Sequence, residues 1–149
     1  MRLWQLVEPE QLPGLAGEGT KQHGGRWNSP GRPAVYCASS LALAALEVFV
    51  NLPRDKRREG KVPAQKAVEY ELPDDLCRLS GFPGTMSEEE TRPLGDAWLD
   101  AQECLALSVP SNVVPLEANV VLNPRHPDMA KVTVVRVEPF SFDPRLLDD

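Results

Sequence analysis

The stretch Gly24–Asn51 reads GGRWNSPGRPAVYCASSLALAALEVFVN, and its local patterns predict the centre of the fold. The glycine pair at its start permits backbone conformations closed to other residues and a close approach to a ligand or a strand. After a turn rich in proline, Ala34–Ala38 has the apolar composition of a short buried strand. Ser39 or Ser40 is a good N-cap for a helix over Leu41–Val50. The stretch therefore predicts a turn, a strand and a helix in close succession.

Three side chains of this stretch are candidates for binding. Arg26 offers a planar fork of donors suited to phosphate or carboxylate, although an arginine is commonly a solvated surface residue. Trp27 offers a broad apolar face, and it could instead pack beneath the arginine. Tyr36 lies near a strand end, where its ring could belong to the core or stack on a planar heterocycle.

Glu47 is the one charged residue of a helix that is apolar on nearly all sides, so we expect the helix to be largely buried. An ionised carboxylate in such surroundings costs several kcal/mol, an order-of-magnitude figure, unless it has polar partners or faces a cleft. A solvated stripe along the helix is the alternative. The pattern favours a functional carboxylate.

The remaining chain predicts short strands and few helices. The strands are expected at Leu3–Val7, Gln65–Leu72 with one solvated face, Cys104–Pro110, Asn119–Leu122 and Val132–Val137, the last as a central strand. Further helices are expected from Ser87–Glu90 and over Leu94–Glu103, whereas the basic run Arg54–Lys61 and the segment before Gly24 are expected to be irregular. The sum is an α+β fold, a mixed and mostly antiparallel sheet with short helices, in a single domain over residues 1–149.

Composition excludes several classes of protein. The 149 residues include 16 Lys and Arg and 22 Asp and Glu, a net charge of -6, which argues against direct nucleic-acid or anionic-membrane binding. No apolar run is long enough for a membrane span or a signal peptide, so we expect a cytoplasmic protein. Cys37, Cys77 and Cys104 are widely spaced, which favours reduced structural thiols and predicts neither a metal site nor a disulfide.

Ser111 follows the strand that ends at Pro110, where a hydroxyl could meet a ligand. No Gly-x-Ser-x-Gly elbow surrounds it, and the chain has only His23 and His126 as candidate bases. A Ser/His/Asp nucleophile is therefore improbable.

Four segments together resemble the RES domain, the toxin of RES-Xre toxin–antitoxin systems. They are Gly24–Asn28 with Val35–Tyr36, Ala44–Glu47, Leu94–Leu99, and Val109–Ser111 with Glu117–Asn119 and Leu122–Pro127. The match extends over essentially the whole chain, and the arginine, glutamate and serine that give the family its name correspond to Arg26, Glu47 and Ser111.

The resemblance implies a fold similar to ADP-ribosyltransferase toxins and cleavage of the nicotinamide–ribose bond of NAD, with ADP-ribose passing to water or phosphate. NAD is then a substrate, and no cofactor or metal is expected. Growth arrest by NAD loss would end when a helix-turn-helix antitoxin of the Xre type covers the site in an oligomeric complex. No Gly-x-Gly-x-x-Gly motif is present, so the NAD site would not be a Rossmann crossover.

The chemistry assigns a role to each candidate. Glu47 would stabilise the oxocarbenium-like ribose, and Tyr36 would stack on nicotinamide. Contacts to the rest of the substrate are then expected from a further set: Arg26 and Arg2 for the phosphates, Ser111 and Asn119 for the ribose or the amide, and Gly25 and Trp27 as further substrate-binding residues.

Two other functions remain open from the sequence. The same residues could transfer ADP-ribose to a protein, as a mono-ADP-ribosyltransferase. The chain could also be a non-catalytic nucleotide- or partner-binding module that keeps the shape without the activity.

Overall fold

The fold is built on one sheet flanked by short helices, in a computed structural model that describes residues 1–78 and 86–147. In these residues the strands are β1 (Arg2–Val7), β2 (Val35–Ala38), β3 (Gln65–Glu71), β4 (Leu76–Arg78), β5 (Ala106–Pro110), β6 (Ala118–Leu122) and β7 (Thr133–Phe140). The α-helices are α1 (Glu18–His23), α2 (Leu41–Val50), α3 (Arg54–Arg58) and α4 (Glu88–Ala101), and 3-10 turns lie at Pro9–Gln11, Pro127–Lys131 and Pro144–Leu146.

The strand order is β4-β5-β6-β2-β1-β3-β7. Only the β4–β5 pair is parallel among the strands of the described residues, and the other pairs are antiparallel. This confirms the predicted α+β class with a mixed, mostly antiparallel sheet. The strand and helix predicted from the opening stretch, β2 and α2, follow one another as expected, and β2 lies in the middle of the sheet.

The two faces of the sheet carry different side chains. On one face Leu3, Val68 and Tyr70 form a fully buried core with residues of the neighbouring strands. On the other face α4 covers Leu107 and Val121, with Trp98 and Leu99 as its docking side chains. Helix α2 covers the same second face farther along, over β1 and β2. The two regions predicted to form the site, the one with Arg26 and Tyr36 and the helix with Glu47, therefore lie on the face that bears α2 and α4.

The helices differ from expectation in three places. The segment before the glycine pair contains α1, and the basic run contains α3, where the sequence predicted irregular chain. Arg57 of α3 lies 4.9 Å from the centre of the Phe49 ring, so an aromatic contact holds a helix that its charges alone would not favour. The third difference is α4, which is one continuous helix rather than two.

Helix α4 continues through Pro93 although proline removes one i to i−4 hydrogen bond. The interruption predicted there was wrong because tertiary contacts outweigh this loss. Side chains of α4 on both sides of the proline bond to the loop after Gly24, as described below. The acidic first turn was correctly predicted, and the Glu90 carboxylate accepts hydrogen bonds from the main-chain N–H and the hydroxyl of Ser87.

Three predictions of burial were also wrong. The face of β3 that was expected to be solvated is largely covered, because Ala67 packs with Leu6 and Phe142, and Glu69 is only 8% exposed between Arg2 and Arg136. Strand β7, expected to be central, is an edge strand. Helix α2 is buried through one side only, because it lies on the surface of the sheet and leaves Leu46 and Val50 exposed.

Two of the three cysteines form a disulfide between Cys77 and Cys104, whose Cα atoms are 5.8 Å apart. The prediction of three reduced thiols was therefore wrong for this pair. The parallel pairing of β4 with β5 brings the two residues together across a separation of 27, which spacing alone does not reveal. Cys37 is free and buried, and burial raises the pKa of its thiol to about 12.

Across residues 1–78 and 86–147, none of the helices has the length and apolar character that crossing a membrane requires.

Candidate functional site

Glu47, Ser111 and Asn119 form a hydrogen-bonded cluster on the α2 side of the sheet. Helix α2 begins at a cap in which the Ser40 hydroxyl oxygen accepts from the Leu43 N–H at 3.1 Å. Two turns later, Glu47 Oε1 accepts hydrogen bonds from Ser111 Oγ and from Asn119 Nδ2, each at 2.7 Å. These two donors lie 64 and 72 residues away in the chain, so only the folded sheet assembles the cluster.

Ser111 is fully buried directly after β5. Its hydroxyl oxygen accepts from the main-chain N–H groups of Val113 and Val114, at 3.1 and 3.0 Å. With both incoming bonds in place, the hydroxyl proton is directed to Glu47. The geometry makes Ser111 a fixed hydrogen-bond donor to the carboxylate, in keeping with the sequence argument against a serine nucleophile.

Asn119 lies on β6, paired with Ala38 of β2 on one side and with Val109 of β5 on the other. Its amide nitrogen donates to Glu47, which leaves the amide oxygen as an acceptor. That oxygen is buried and has no hydrogen-bond partner among residues 1–78 and 86–147. An unsatisfied buried acceptor costs about 1–3 kcal/mol, so a bound hydroxyl or amide N–H would be favoured at this point.

Tyr36 lies on the same face of the sheet as Asn119, because Tyr36 pairs with Val121 and Asn119 is two residues before it on β6. Its hydroxyl accepts from the Trp27 N–H at 2.9 Å and donates to Asn28 Oδ1 at 2.5 Å. Burial is the main cause that raises the pKa of Tyr36 to about 12. The phenol therefore stays protonated and ties the loop after the glycine pair to the sheet.

The loop from Gly24 to Ser29 folds back on itself. The Gly25 N–H donates to the Asn28 carbonyl oxygen at 2.9 Å, and a Cβ atom on Gly25 would lie 2.6 Å from the Tyr36 hydroxyl oxygen. The close approach that the glycine permits is therefore made to Tyr36. Asn28 is fully buried, and its amide nitrogen donates to the carbonyl oxygens of Thr20 and Arg32 at 3.0 and 2.7 Å.

Helix α4 holds this loop from the other side. Arg92 Nε donates to the Gly25 carbonyl oxygen at 2.8 Å, and the Thr91 hydroxyl donates to the Arg26 carbonyl oxygen. Asp96 accepts from the main-chain N–H and the hydroxyl of Ser29, at 2.8 and 2.6 Å. Gly95 packs directly on the loop, since a Cβ there would lie 1.7 Å from the Trp27 carbonyl oxygen.

These supporting residues were not singled out as site residues from the sequence. One local signal existed, because a glycine inside a helical pattern usually has a packing reason. Gly95 is such a glycine, and its reason is the Trp27 main chain. Asn28 stands in a segment that reads simply as turn chemistry, and nothing local distinguishes its buried role.

Arg26 and Trp27 are fixed by this arrangement. Trp27 is 2% exposed and packs in the core between α4 and the sheet, beneath the loop. The Arg26 side chain is half-buried, and one of its terminal nitrogens donates to the Met86 carbonyl oxygen, shortly before α4. Arg26, Trp27 and Tyr36 thus form one group, and Glu47, Ser111 and Asn119 form another, with Tyr36 and Asn119 at diagonal positions on the neighbouring strands β2 and β6.

Arg2 is engaged elsewhere on the sheet. Its guanidinium forms ion pairs with Glu69 at 3.4 Å and with Glu71 at 3.0 Å, and its side chain is half exposed. A phosphate at this place would have to compete with two carboxylates.

One group in the described part of the chain has side chains of the kinds that bind metals: Asp75, His126 and Asp128, whose ligand atoms lie within 4.8 Å of one another. His126 Nδ1 accepts a hydrogen bond from the Asp128 N–H at 3.0 Å. A neutral imidazole then carries its proton on Nε2, which leaves neither nitrogen free for a metal. The chemistry of this group favours a structural cap at the turn that begins at Pro127.

A family model described as "RES domain" matches residues 2–143 of the chain. The chain belongs to the RES domain family. A protein of Pseudomonas putida named Toxin Res is 38% identical to this RES domain over 150 residues, covering 98% of this chain and 99% of that protein. A Toxin Res of Yersinia enterocolitica is 33% identical over 156 residues, with 98% and 99% covered.

Another relative carries a different name. A protein of Sphingobium named Prs ADP-ribosylating toxin is 37% identical over 144 residues, covering 89% of this RES domain and 86% of that protein. Among solved structures, a chain of the M. tuberculosis MbcT–MbcA toxin–antitoxin complex matches with a TM-score of 0.71, covering 98% of this RES domain and 86% of that chain. Because the sequence identity to this solved structure is 17%, the similarity concerns the fold alone.

Proposed function

We propose that this chain is the toxin of a toxin–antitoxin pair and that it cleaves the nicotinamide–ribose bond of NAD. The observation that carries the proposal is the Glu47 carboxylate, held through one oxygen by Ser111 and Asn119. The names of the Pseudomonas and Yersinia relatives support the toxin, and the source of the structural neighbour supports an antitoxin partner.

The arrangement of Glu47 suits this bond cleavage. Its Oε1 is occupied by two donors, whereas Oε2 makes no hydrogen bond to any residue that the structure describes. When the C1′–N bond breaks, both bonding electrons leave with nicotinamide, which departs neutral, and positive charge develops on the ribose. A carboxylate oxygen beside the ribose stabilises that charge and accepts a hydrogen bond from the 2′-hydroxyl.

Ser111 and Asn119 are positioning residues, because both donate to the Glu47 carboxylate. Two fixed donors orient the carboxylate through one oxygen, so the other oxygen faces one direction. The buried acceptor on Asn119 offers the place for a donor of the substrate, either a ribose hydroxyl or the nicotinamide amide.

The other site residues take supporting parts in the proposal. The Tyr36 hydroxyl is used by the loop, so the ring face is what it offers to nicotinamide. Arg26 contacts the pyrophosphate from the loop, Gly25 lets that loop approach, and Trp27 supports it from below. Arg2 joins the phosphate contacts only if it exchanges Glu69 and Glu71 for the anion.

The ribose cation is captured by an oxygen nucleophile. Water gives ADP-ribose and releases a proton, and inorganic phosphate gives a phosphate ester of ADP-ribose. In both cases the chain is unchanged after the turnover, so NAD is a substrate and no cofactor is used.

The antitoxin in this proposal is a helix-turn-helix protein of the Xre type, which covers the site in the cytoplasm. Exposed apolar side chains lie close in the chain to the Glu47 cluster: Leu46 and Val50 on α2 are about half exposed, and Leu116, between Ser111 and Asn119, is fully exposed. Exposed apolar side chains around a site are typical of a surface that a partner covers.

Product analysis tests the proposal. The purified chain is incubated with NAD in buffers with and without phosphate, and the products are identified by mass spectrometry. Free nicotinamide with ADP-ribose, or with its phosphate ester, is the expected result. Unchanged NAD after incubation with a chain shown to be folded by circular dichroism would overturn it.

A second function is favoured by the name of the Sphingobium relative, which is an ADP-ribosylating toxin. In this alternative the ADP-ribose passes to a side chain of a protein. Incubation with labelled NAD and a cell lysate separates the two, because transfer gives a labelled protein band. If the chain bound NAD in calorimetry with neither product, the non-catalytic module would be the better description.

A further inference from the structure

We propose that the outer edge of β7 pairs with the same strand of a second copy, antiparallel, so that two sheets join into one. Strand β7 is the last strand beside β3, and no strand within residues 1–78 and 86–147 pairs with its outer side. Residues 133–139 are all exposed. This surface is independent of the Glu47 site, so the proposal stands apart from the function proposed above.

The segment 133–137 of β7 is richer in exposed valine than is usual for an edge strand, and a charged residue and a proline, both typical of an edge, follow at its end. Val134, Val135 and Val137 are 44%, 39% and 42% exposed, and the strand has eight residues without a lysine. Edge strands of natural proteins are usually short or carry inward-pointing charges that discourage pairing. The opposite edge fits that rule, since β4 has only three residues. A long valine-rich edge is explained if a second strand covers it.

Pro139 indicates which backbone groups point outward. A proline in an edge strand is accommodated where its missing N–H would face solvent. Backbone groups alternate along a strand, so Val137, two residues earlier, directs its N–H and C=O to the same outer side. The bulge between Glu69 and Tyr70 interrupts the pairing next to Val135, so Val137 lies in the regular part of the strand.

The charges of β7 select one register. A twofold axis perpendicular to the sheet keeps each side chain on its own face, so a symmetric register must be centred on one residue. Centring on Val137 places Arg136 of each copy opposite Glu138 of the other. Centring on Arg136 or on Glu138 would oppose like charges, which is destabilising. Centring on Val137 also lets the two valines exchange a pair of main-chain hydrogen bonds.

The side chains concerned are available for this pairing. Glu138 makes no ion pair with any residue that the structure describes, although it lies next to Lys66 and Ala67 of β3 in register. Arg136 is 56% exposed, and its guanidinium lies 3.2 Å from Glu69 Oε1 and 5.8 Å from the centre of the Trp4 ring. These contacts hold Arg136 along the edge, where its remaining N–H groups can reach a second carboxylate.

Sedimentation and cross-linking test the interface. The full chain is expected to sediment as a concentration-dependent dimer. In the Val137→Cys variant the two thiols meet at the twofold axis, where a hydrogen-bonded antiparallel pair has a Cα separation of about 5.5 Å, suited to a disulfide. Mild oxidation should therefore give a covalent dimer. The matched control is Val134→Cys, equally exposed but far from its own copy in this register, which should stay monomeric on a non-reducing gel.

Charge exchange tests the register. Glu138→Arg alone and Arg136→Glu alone each oppose like charges and should lower the dimer fraction at least tenfold, an order-of-magnitude expectation from charge pairing. Mixing the two variants restores opposite charges at both positions and should restore a dimer. A monomeric parent chain at all concentrations, or equal cross-linking of the two cysteine variants, would overturn the proposal. The cysteine pair decides the matter if Arg136→Glu fails to fold beside Glu69.

Discussion

Ser111 donates to Glu47 Oε1 at 2.7 Å while its own oxygen receives two main-chain N–H groups. The Ser111 hydroxyl therefore has protein partners for its proton and for its oxygen. Of the two Glu47 carboxylate oxygens, only Oε1 is hydrogen-bonded by residues that the structure describes. In the function proposed above, Glu47 makes the reactive contact and Ser111 the supporting contact, and this difference gives the first two predictions.

Replacing Glu47 by glutamine should strongly lower NAD turnover with little loss of stability. The amide keeps the shape but removes the negative charge that the proposal places beside the ribose, so turnover should fall by about 100-fold or more. NAD consumption measured by mass spectrometry gives the answer, with the melting temperature as a folding check. Glu89→Gln is the matched control, since Glu89 is exposed on α4 and should leave turnover unchanged. Undiminished turnover by a folded Glu47→Gln variant would rule out the assigned role.

Replacing Ser111 by alanine should lower both stability and turnover. Two main-chain N–H groups lose their acceptor, which costs about 1–3 kcal/mol each when they stay buried. Glu47 loses one of its two donors, so turnover should fall at least about tenfold, equivalent to 1.4 kcal/mol. Urea unfolding and NAD consumption are measured on the same samples. Ser108→Ala, on the preceding strand and half-buried, is the control and should change neither by as much.

Replacing Gly95 by alanine should be severely destabilising. The added Cβ would lie 1.7 Å from the Trp27 carbonyl oxygen, so α4 and the loop must separate. A cost of more than about 3 kcal/mol is expected, because main-chain atoms cannot yield as side chains do. Gly19→Ala is the matched control, since that helical glycine has nothing within 4 Å and alanine should stabilise it by up to about 1 kcal/mol. Similar melting temperatures for the two variants would contradict the packing described.

The tyrosines should not ionise at their ordinary pH in the folded chain. Burial raises the pKa of Tyr36 to about 12 from its ordinary value of 10.0, and burial also raises the pKa of Tyr70. Between pH 10 and 12 the unfolded chain loses protons that the folded chain keeps, so the free energy of unfolding should fall as the pH rises. Absorbance at the tyrosinate band, read with and without urea, measures this directly.

The Tyr36→Phe variant separates the two tyrosines. It should lose part of the alkaline destabilisation and should cost about 1–3 kcal/mol at neutral pH, because Trp27 and Asn28 lose their shared partner. A folded parent chain in which both tyrosines titrate near pH 10 would show that the hydroxyl of Tyr36 is solvated.

The parts of the fold that local sequence predicts are those with a strong local pattern. Strand β2, the Ser40 cap and helix α2 follow from apolar runs and one hydroxyl. Helices α1 and α3 were missed because they are five or six residues long and depend on contacts with distant residues. The disulfide was missed for a related reason, since only the β4–β5 pairing brings Cys77 to Cys104.

The candidate site shows the same division. The isolated charge on α2 marks Glu47 from its own segment, but no periodicity connects it with Ser111 or Asn119, and only the resemblance to a family joined the three. The support of the loop from Gly24 to Ser29 by Asn28 and Asp96 could not be predicted, because a buried asparagine in a turn looks like any turn residue, whereas Gly95 gave one local signal as a glycine inside a helical pattern. Arg2 was noted for its charge, and its two carboxylate partners come from β3, which the sequence placed with one face in solvent.

The three residues of the Glu47 cluster enter the chain at very different moments of synthesis. Helix α2 is made early, Ser111 follows when more than half of the chain exists, and Asn119 comes last on β6. A nascent chain that has not reached β6 carries the glutamate without Asn119 and without the strand that separates β2 from β5. The ribosome therefore completes most of this polypeptide before any site of this geometry can exist, and a truncated product that ends ahead of β6 has none.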